Sequence, residues 1–186
     1  NLVAKMATIR MVVALATHKV WKMHQMDFKN AFLNGDMEEE LYMIQPLGYE
    51  DLSYPLQVCK LNKALYGLKQ ALRAWYGKIT TVLEELGFQV SKSDPTLFTL
   101  HNGNTMIITL YVDDLIITGS SEELIDTVKQ QLMNNFDLKD LGVLKYFLGI
   151  EFIYDGDHVW LLQRQYALDI LSIFGMTEHV SPYQLL

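Results

Sequence analysis

The chain has 186 residues, half of them apolar and a fifth charged, with four prolines and eleven glycines, so it can bury a sizeable core and does not have a disordered composition. No run approaches the roughly eighteen uncharged apolar residues of a membrane span. The lone cysteine, Cys59, leaves no internal disulfide to form and fits a reducing compartment. A net charge of −7, taken whole, argues against a nucleic-acid partner. Its distribution reverses that reading, because residues 1–26 and 52–83 carry nine Lys and Arg and no acid, which leaves −16 to the rest.

In chain order, Met6, Ile9, Val12, Val13 and Ala16 recur at helical spacing and predict a helix over residues 5–18. A short strand follows and ends at Asp27, and residues 41–44 and 57–61 read as further strands. Leu65, Leu68, Leu72, Trp75, Ile79, Val82 and Leu86 predict a long amphipathic helix from Leu65 to Leu86, stopped by Gly87. Residues 96–100 and 105–111 flank an Asn-Gly hairpin signal, and a second hairpin turns at Asp113-Asp114. Ser120 with Glu123 forms a capping box before Leu124, Val128 and Leu132. Residues 146–154 and 159–162 form a third hairpin around Asp155-Gly156, and residues 165–174 a last helix stopped by Gly175. The pattern predicts an α+β fold, an antiparallel sheet with helices packed on one face.

Asp113-Asp114 lies between two apolar runs, where a pair of acids is often only a turn device. Yet it matches poorly the Asn-Gly or Asp-Gly that two-residue hairpins favour. Two carboxylates about 4 Å apart repel by roughly 4 kcal/mol at an effective dielectric near 20, a cost that a divalent cation offsets. Asp27, at the end of its strand, supplies a third carboxylate. Oxygen ligands without Cys or His select a hard ion, Mg²⁺ or Mn²⁺, and three carboxylates holding two such ions suit phosphoryl or nucleotidyl transfer. His24, near in sequence, is expected to face the other side or to pack in the core.

Four strings carry a more specific signal: QMDFKNAFLNG at 25–35, KLNKALYGLKQALRAWY at 60–76, YVDD at 111–114 and LGVLKYFLGIE at 141–151. In this order and together, they resemble the reverse transcriptase of copia-type retrotransposons. The resemblance implies an RNA-directed DNA polymerase that adds dNTPs to a primer 3′-hydroxyl with two Mg²⁺ or Mn²⁺ ions. It implies that Asp27, Asp113 and Asp114 are the catalytic acids, with the Phe28 backbone carbonyl as a further metal ligand. It implies that Ala31 and Phe32 lie at the incoming nucleotide, where the Phe32 ring would exclude a ribose 2′-hydroxyl. Tyr66 and Gly67 would open the motif that supports nucleotide and template. Lys139 would lie where such enzymes keep a lysine for the leaving pyrophosphate. Lys69, Arg73, Phe147, Leu148 and Gly149 would touch the template-primer, which is RNA or DNA. Base pairing would select the nucleotide, the basic segments would track the backbone, and no membrane is implicated.

The chain departs from the family pattern at Leu72 and Leu47, where proline is usual, in its opening Asn1–Met6 and in its closing Ser181–Leu186. The expected organisation is a palm over residues 1–152 with partial fingers at about 34–65, then a truncated start of thumb or connection over residues 153–186. The upstream fingers, the complete thumb and the ribonuclease H portion would come from the rest of a retrotransposon polyprotein. Two other readings stand beside the polymerase. One is a non-catalytic relic of a decayed element. The other is a metal-dependent nuclease, which gives Phe32 and Tyr66-Gly67 no purpose.

Overall fold

A computed structural model describes residues 4–176. The departures at Asn1–Val3 and Ser181–Leu186, and residues 177–186 of the expected thumb, lie outside the described residues. The chain runs α1 (Met6–His18), β1 (Met23–Phe28), a 3₁₀ turn (Ala31–Asn34), β2 (Asp36–Ile44), β3 (Val58–Lys63) and α2 (Ala71–Glu85). It continues through β4 (Gln89–Val90), β5 (Leu97–Asn102), β6 (Asn104–Tyr111), β7 (Asp114–Gly119) and α3 (Glu122–Asn135), and closes with β8 (Leu138–Val143), β9 (Tyr146–Phe147), β10 (Ile150–Asp155), β11 (His158–Leu162) and α4 (Arg164–Ile173). Among the described residues no helix is long and apolar enough to cross a membrane.

The fold is α+β, built on a six-stranded sheet in the order β4-β5-β6-β7-β1-β8, with smaller sheets β11-β10-β9 and β2-β3. Every pairing is antiparallel. Period-two alternation divides the main sheet into two apolar faces. Met26, Phe28, Phe98, Met106, Ile108, Leu110, Leu115 and Ile117 join Trp75 and Ile79 of α2 and Ile125, Val128 and Leu132 of α3 in one core. Met23 and Ile116 point the other way and pack with Ile9, Val13 and Ala16 of α1 and with Phe147 and Phe152 of the three-stranded sheet. The expectation that all helices share one face is therefore corrected. Helix α1 needs its own apolar partner, and the alternate residues of β1 and β7 provide one.

Several local expectations shift for identifiable reasons. The long helix begins at Ala71 rather than Leu65, because Gly67 adopts a left-handed φ of +92° and residues 65–70 form successive turns. Leu72 falls in the first helical turn, where proline and leucine are both tolerated, so this departure leaves the helix intact. The α3 cap is Ser121, whose hydroxyl accepts the Leu124 N–H at 3.3 Å, while the Ser120 hydroxyl accepts from Thr105 N–H on β6. The apolar run 146–154 is interrupted at Leu148 and Gly149, both at positive φ, which form the two-residue loop between β9 and β10. Strand β8 escapes sequence reading because it is a mostly exposed edge strand without a clean apolar alternation. It is fastened to α3 by buried Lys129, which pairs with Asp140 at 2.7 Å and Asp126 at 3.3 Å.

Beneath the end of β1, Phe28, Trp75 and Phe136 meet edge to face with centroids 4.6 to 5.5 Å apart. Each such pair adds about 0.5–1.5 kcal/mol beyond its buried area, which clamps α2 and the end of α3 under the strand that carries Asp27. Gly35, at the end of the 3₁₀ turn, lies against the same helix. A Cβ at that position would stand 2.8 Å from the Trp75 backbone nitrogen and 3.0 Å from Ala74. Gly35→Ala is expected to destabilise the fold by about 1–3 kcal/mol, because backbone and not a flexible side chain must yield. A urea-unfolding midpoint indistinguishable from that of the parent chain would contradict this packing.

Candidate active site

Strand β1 lies between β7 and the edge strand β8 in the main sheet and carries Asp27 as its next-to-last residue, whose Cα partner on β7 is Asp114. The Phe28 N–H donates to the Asp113 carbonyl at 2.8 Å and ties the tip of the β6–β7 hairpin to β1. Asp27 and the adjacent pair Asp113 and Asp114, 86 residues further along the chain, are thereby brought to one end of the sheet. Tyr111 pairs with Asp114, so the hairpin loop is Val112-Asp113, one residue earlier than the expected Asp113-Asp114 turn.

Val112 has φ +57° and Asp113 does not share the positive φ, the pattern of a two-residue turn that ordinarily places glycine first. A β-branched residue in that region costs roughly 1–2 kcal/mol. The fold holds it there through the indole of Trp75, whose Nε1–H donates to the Val112 carbonyl at 2.7 Å. Helical spacing marks Trp75 as buried, but its second role as a donor to this turn has no sequence signal.

The two cross-strand acids are half-buried and Asp113 is exposed. Burial pushes the Asp114 carboxyl above its ordinary range; the Gln25 side-chain amide, donating to Oδ1 at 3.0 Å, opposes the rise, while the Asp113 and Asp27 charges add to it. Asp94 shows the opposite outcome. Burial would raise it too, but the hydroxyls of Thr8 and Thr96 and the backbone N–H groups of Thr96 and Lys5 together hold it below the usual carboxylate range. Like charges thus face Asp114 where neutral donors face Asp94.

A cleft of about 530 Å³ is lined by residues 30–33, 64–66 and 111–114, so that Asp113 and Asp114 form part of its wall while Asp27 does not. Ala31 is buried in its floor, and Phe32 is half-buried with its ring 5.6 Å from that of exposed Tyr66. Gly67 is exposed, with open space where a Cβ would stand. Lys139, on β8, is the Cα partner of Asp27 on the side away from Asp114, so Asp114, Asp27 and Lys139 form a row across three neighbouring strands. Phe147 is buried edge to face against Tyr111 at 6.0 Å, which sets the Leu148-Gly149 loop beside the Asp-bearing hairpin. Lys69 is exposed in the turns before α2 and not within the helix with Arg73, as the predicted span from Leu65 to Leu86 would have it. Arg73 lines a separate groove with Asp36, Gln70 and Lys78 and is not part of the cleft wall. His24 points away from the acids, as expected, and its Nε2 lies 3.2 Å from Glu122 Oε2.

Among the described residues, no three His, Cys, Asp or Glu side chains stand close enough to form a ready metal cage. The donor set is nevertheless of the kind a hard divalent cation takes: carboxylate oxygens, one of them half-buried under two like charges. Sequence reading missed Gln25 as a member of the site. Its signal was the strand period, which sets residue 25 on the same face as residue 27.

A family model described as reverse transcriptase (RNA-dependent DNA polymerase) matches residues 1–184, and the chain belongs to that family. Within it, the chain is similar to Pol polyproteins of copia-type retrotransposons. It is 44% identical over 175 residues to the retrovirus-related Pol polyprotein from transposon RE1 of Arabidopsis thaliana, which covers 94% of this chain and 12% of that protein. Identity to the corresponding polyprotein from transposon TNT 1-94 of Nicotiana tabacum is 40% over 178 residues, covering 94% of this chain and 13% of the polyprotein. A putative transposon Ty5-1 protein of Saccharomyces cerevisiae is 37% identical over 126 residues, or 67% of this chain and 41% of that protein. The chain thus spans about an eighth of the Pol polyproteins it matches.

An acid whose folded-state pKa is raised destabilises the fold above that pKa, and the penalty disappears as pH falls and the carboxyl takes up its proton. Asp114→Asn is therefore expected to raise the thermal midpoint by a few degrees at neutral pH, with the gain shrinking as the solution is acidified into the carboxylate range. Thermal melts of both chains across that pH span test this, and a gain that grows on acidification would refute the assigned sign.

Proposed function

We propose that this chain is the palm, with partial fingers at about 34–65, of an RNA-directed DNA polymerase from a copia-type retrotransposon. In this reading residues 1–152 form that unit and residues 153–186 begin a thumb or connection. The observation that carries the proposal is the cross-strand pairing of Asp27 with Asp114, joined by the backbone bond from Phe28 to Asp113 beside an open cleft. Asp27, Asp113, Asp114 and the Phe28 carbonyl would hold two Mg²⁺ or Mn²⁺ ions. When bound, such ions activate the attacking primer hydroxyl and neutralise the triphosphate of the incoming dNTP.

The remaining residues bind and orient. Phe32 presents a ring held by Tyr66 and by the core, which favours deoxyribose over ribose where the sugar would sit. Ala31 keeps the cleft floor small beneath it, and the open space over Gly67 admits close approach of a nucleotide or template backbone. Lys139, beside Asp27 in register, is suited to hold a proton for the departing pyrophosphate. The Phe147-Leu148-Gly149 loop, braced on Tyr111, supports the primer end next to the catalytic hairpin. Lys69 and Arg73 contribute phosphate contacts outside the cleft, where their charge attracts template-primer without reading its sequence. The other partners in this reading are the remaining parts of the polyprotein: upstream fingers, thumb and ribonuclease H.

Primer extension on a primed RNA template with dNTPs and Mg²⁺ or Mn²⁺ is the direct test. Asp113→Asn is expected to lower extension by at least about a hundredfold, since it removes a charged ligand from the reacting centre. Extension unaffected by that substitution would refute the assignment. Tight template-primer binding without extension marks an incomplete enzyme, and absence of both favours a non-catalytic relic. In an active preparation, Phe32→Ala is expected to admit ribonucleotides, and unchanged sugar discrimination would remove Phe32 from the gate.

A further inference from the structure

Gln25 is about nine-tenths buried on β1, between His24 and Met26, which are buried as well. A buried primary amide needs partners for its donors, and the structure gives it a definite one, Asp114 Oδ1 at 3.0 Å. The contact is diagonal across the sheet. Gln25 is the Cα partner of Ile116, while Asp114 is opposite Asp27, so the long side chain reaches one pair toward the cleft. An ionised carboxylate only accepts hydrogen bonds, which fixes the amide nitrogen as the end turned toward it. Ile116, the cross-strand partner of Gln25, packs in the core shared with α1.

We propose that Gln25 is a positioning residue for Asp114, engaging one carboxylate oxygen so that the other is the one left to a metal ion. This deepens the polymerase reading and rests on it. Asp27 shares its strand with Gln25, so a single stretch of β1 supplies one acid and orients the acid across from it. The site thereby gains a fixed element on its buried side, although Asp113, at the exposed hairpin tip, has no comparable restraint among the hydrogen bonds of the described residues.

The test is direct Mn²⁺ binding to the 186-residue chain, followed by electron paramagnetic resonance, for the parent chain, Gln25→Met, Gln25→Asn and Asp114→Asn, with circular dichroism to verify folding. Methionine keeps the length and removes the donor, and asparagine keeps the donor but falls short of Asp114. Both are expected to weaken Mn²⁺ binding by about tenfold, the scale of one hydrogen bond to a charged group. In an active preparation both are expected to raise the metal concentration needed for half-maximal extension much more than they lower the rate at saturating metal. A folded Gln25→Met chain that binds Mn²⁺ as the parent does, while Asp114→Asn weakens it, overturns the role of Gln25 and leaves the polymerase reading standing. Binding insensitive to Asp114→Asn overturns both. The side-chain amide resonances of Gln25 in the parent chain give a check independent of any variant's folding. They are expected to shift on Mg²⁺ addition, and resonances that stay fixed while other site resonances move overturn the inference.

Discussion

The structure depends on the antiparallel pairing of β1 with β7. That ladder sets Asp27 against Asp114, and its last backbone bond, from Phe28 to Asp113, closes the hairpin tip onto the same strand. A one-residue slip would turn every side chain of β1 to the opposite face, sending Asp27 toward the core under α2 and α3 and Met26 toward the α1 side. The register is protected by burial on both sides of the sheet. Met26 and Phe28 are tied to α2 and α3, and Met23 is tied to α1, so no shifted alignment satisfies both cores. Packing far from the acids is what holds the acids together.

Much of this was legible in the sequence because it is written in local periodicity and in short strings. The apolar runs of β6 and β7, the Asn-Gly turn and the three-to-four spacing of α2 required no tertiary knowledge. Asp113 and Asp114 stood out as site candidates because two adjacent acids suit a hairpin turn poorly, and a feature that costs stability without a structural reason points to a purpose, although the turn itself proved to be Val112-Asp113. Three things were not legible. Strand β8 depends on a neighbour more than a hundred positions away in sequence, through pairs such as His24 with Val143 and Asp27 with Lys139, and its own exposed residues carry no pattern. The start of α2 turned on the conformation of Gly67, which competes with an apolar run that continues straight through it. The placement of α1 on its own face required knowing that alternate residues of the sheet left a second apolar surface uncovered. Among site residues, Trp75 was readable as core but not as the donor that holds Val112, because hydrogen bonding to a turn leaves no spacing in the sequence.

The electrostatics show a site that works against the stability of its own fold. Asp94 and Asp114 are both carboxylates withdrawn from water, and they are driven in opposite directions by what surrounds them. Around Asp94, two threonine hydroxyls and backbone donors make an ionised group comfortable, as befits a joint between α1 and the loop before β5. Around Asp114 a single amide donor faces two other acids. Proteins tolerate such arrangements where a ligand relieves them, and the family to which this chain belongs provides the chemical context for a hard cation.

Sheet order also governs when the three acids can come together during folding. Gln25 and Asp114 are 89 residues apart, and the strand that carries Asp27 and Gln25 waits for β7 and β8 before either of its edges is filled. The helices and the β5–β6 hairpin can form from near neighbours, but the central strand closes only long loops, whose entropy is recovered late. A nascent or cleaved chain that stops short of β7 therefore displays an unpaired central edge and no assembled acids. Such a chain is open to mispairing with other strands, and the acids stay apart until the polypeptide has been made through its middle and folded back on itself.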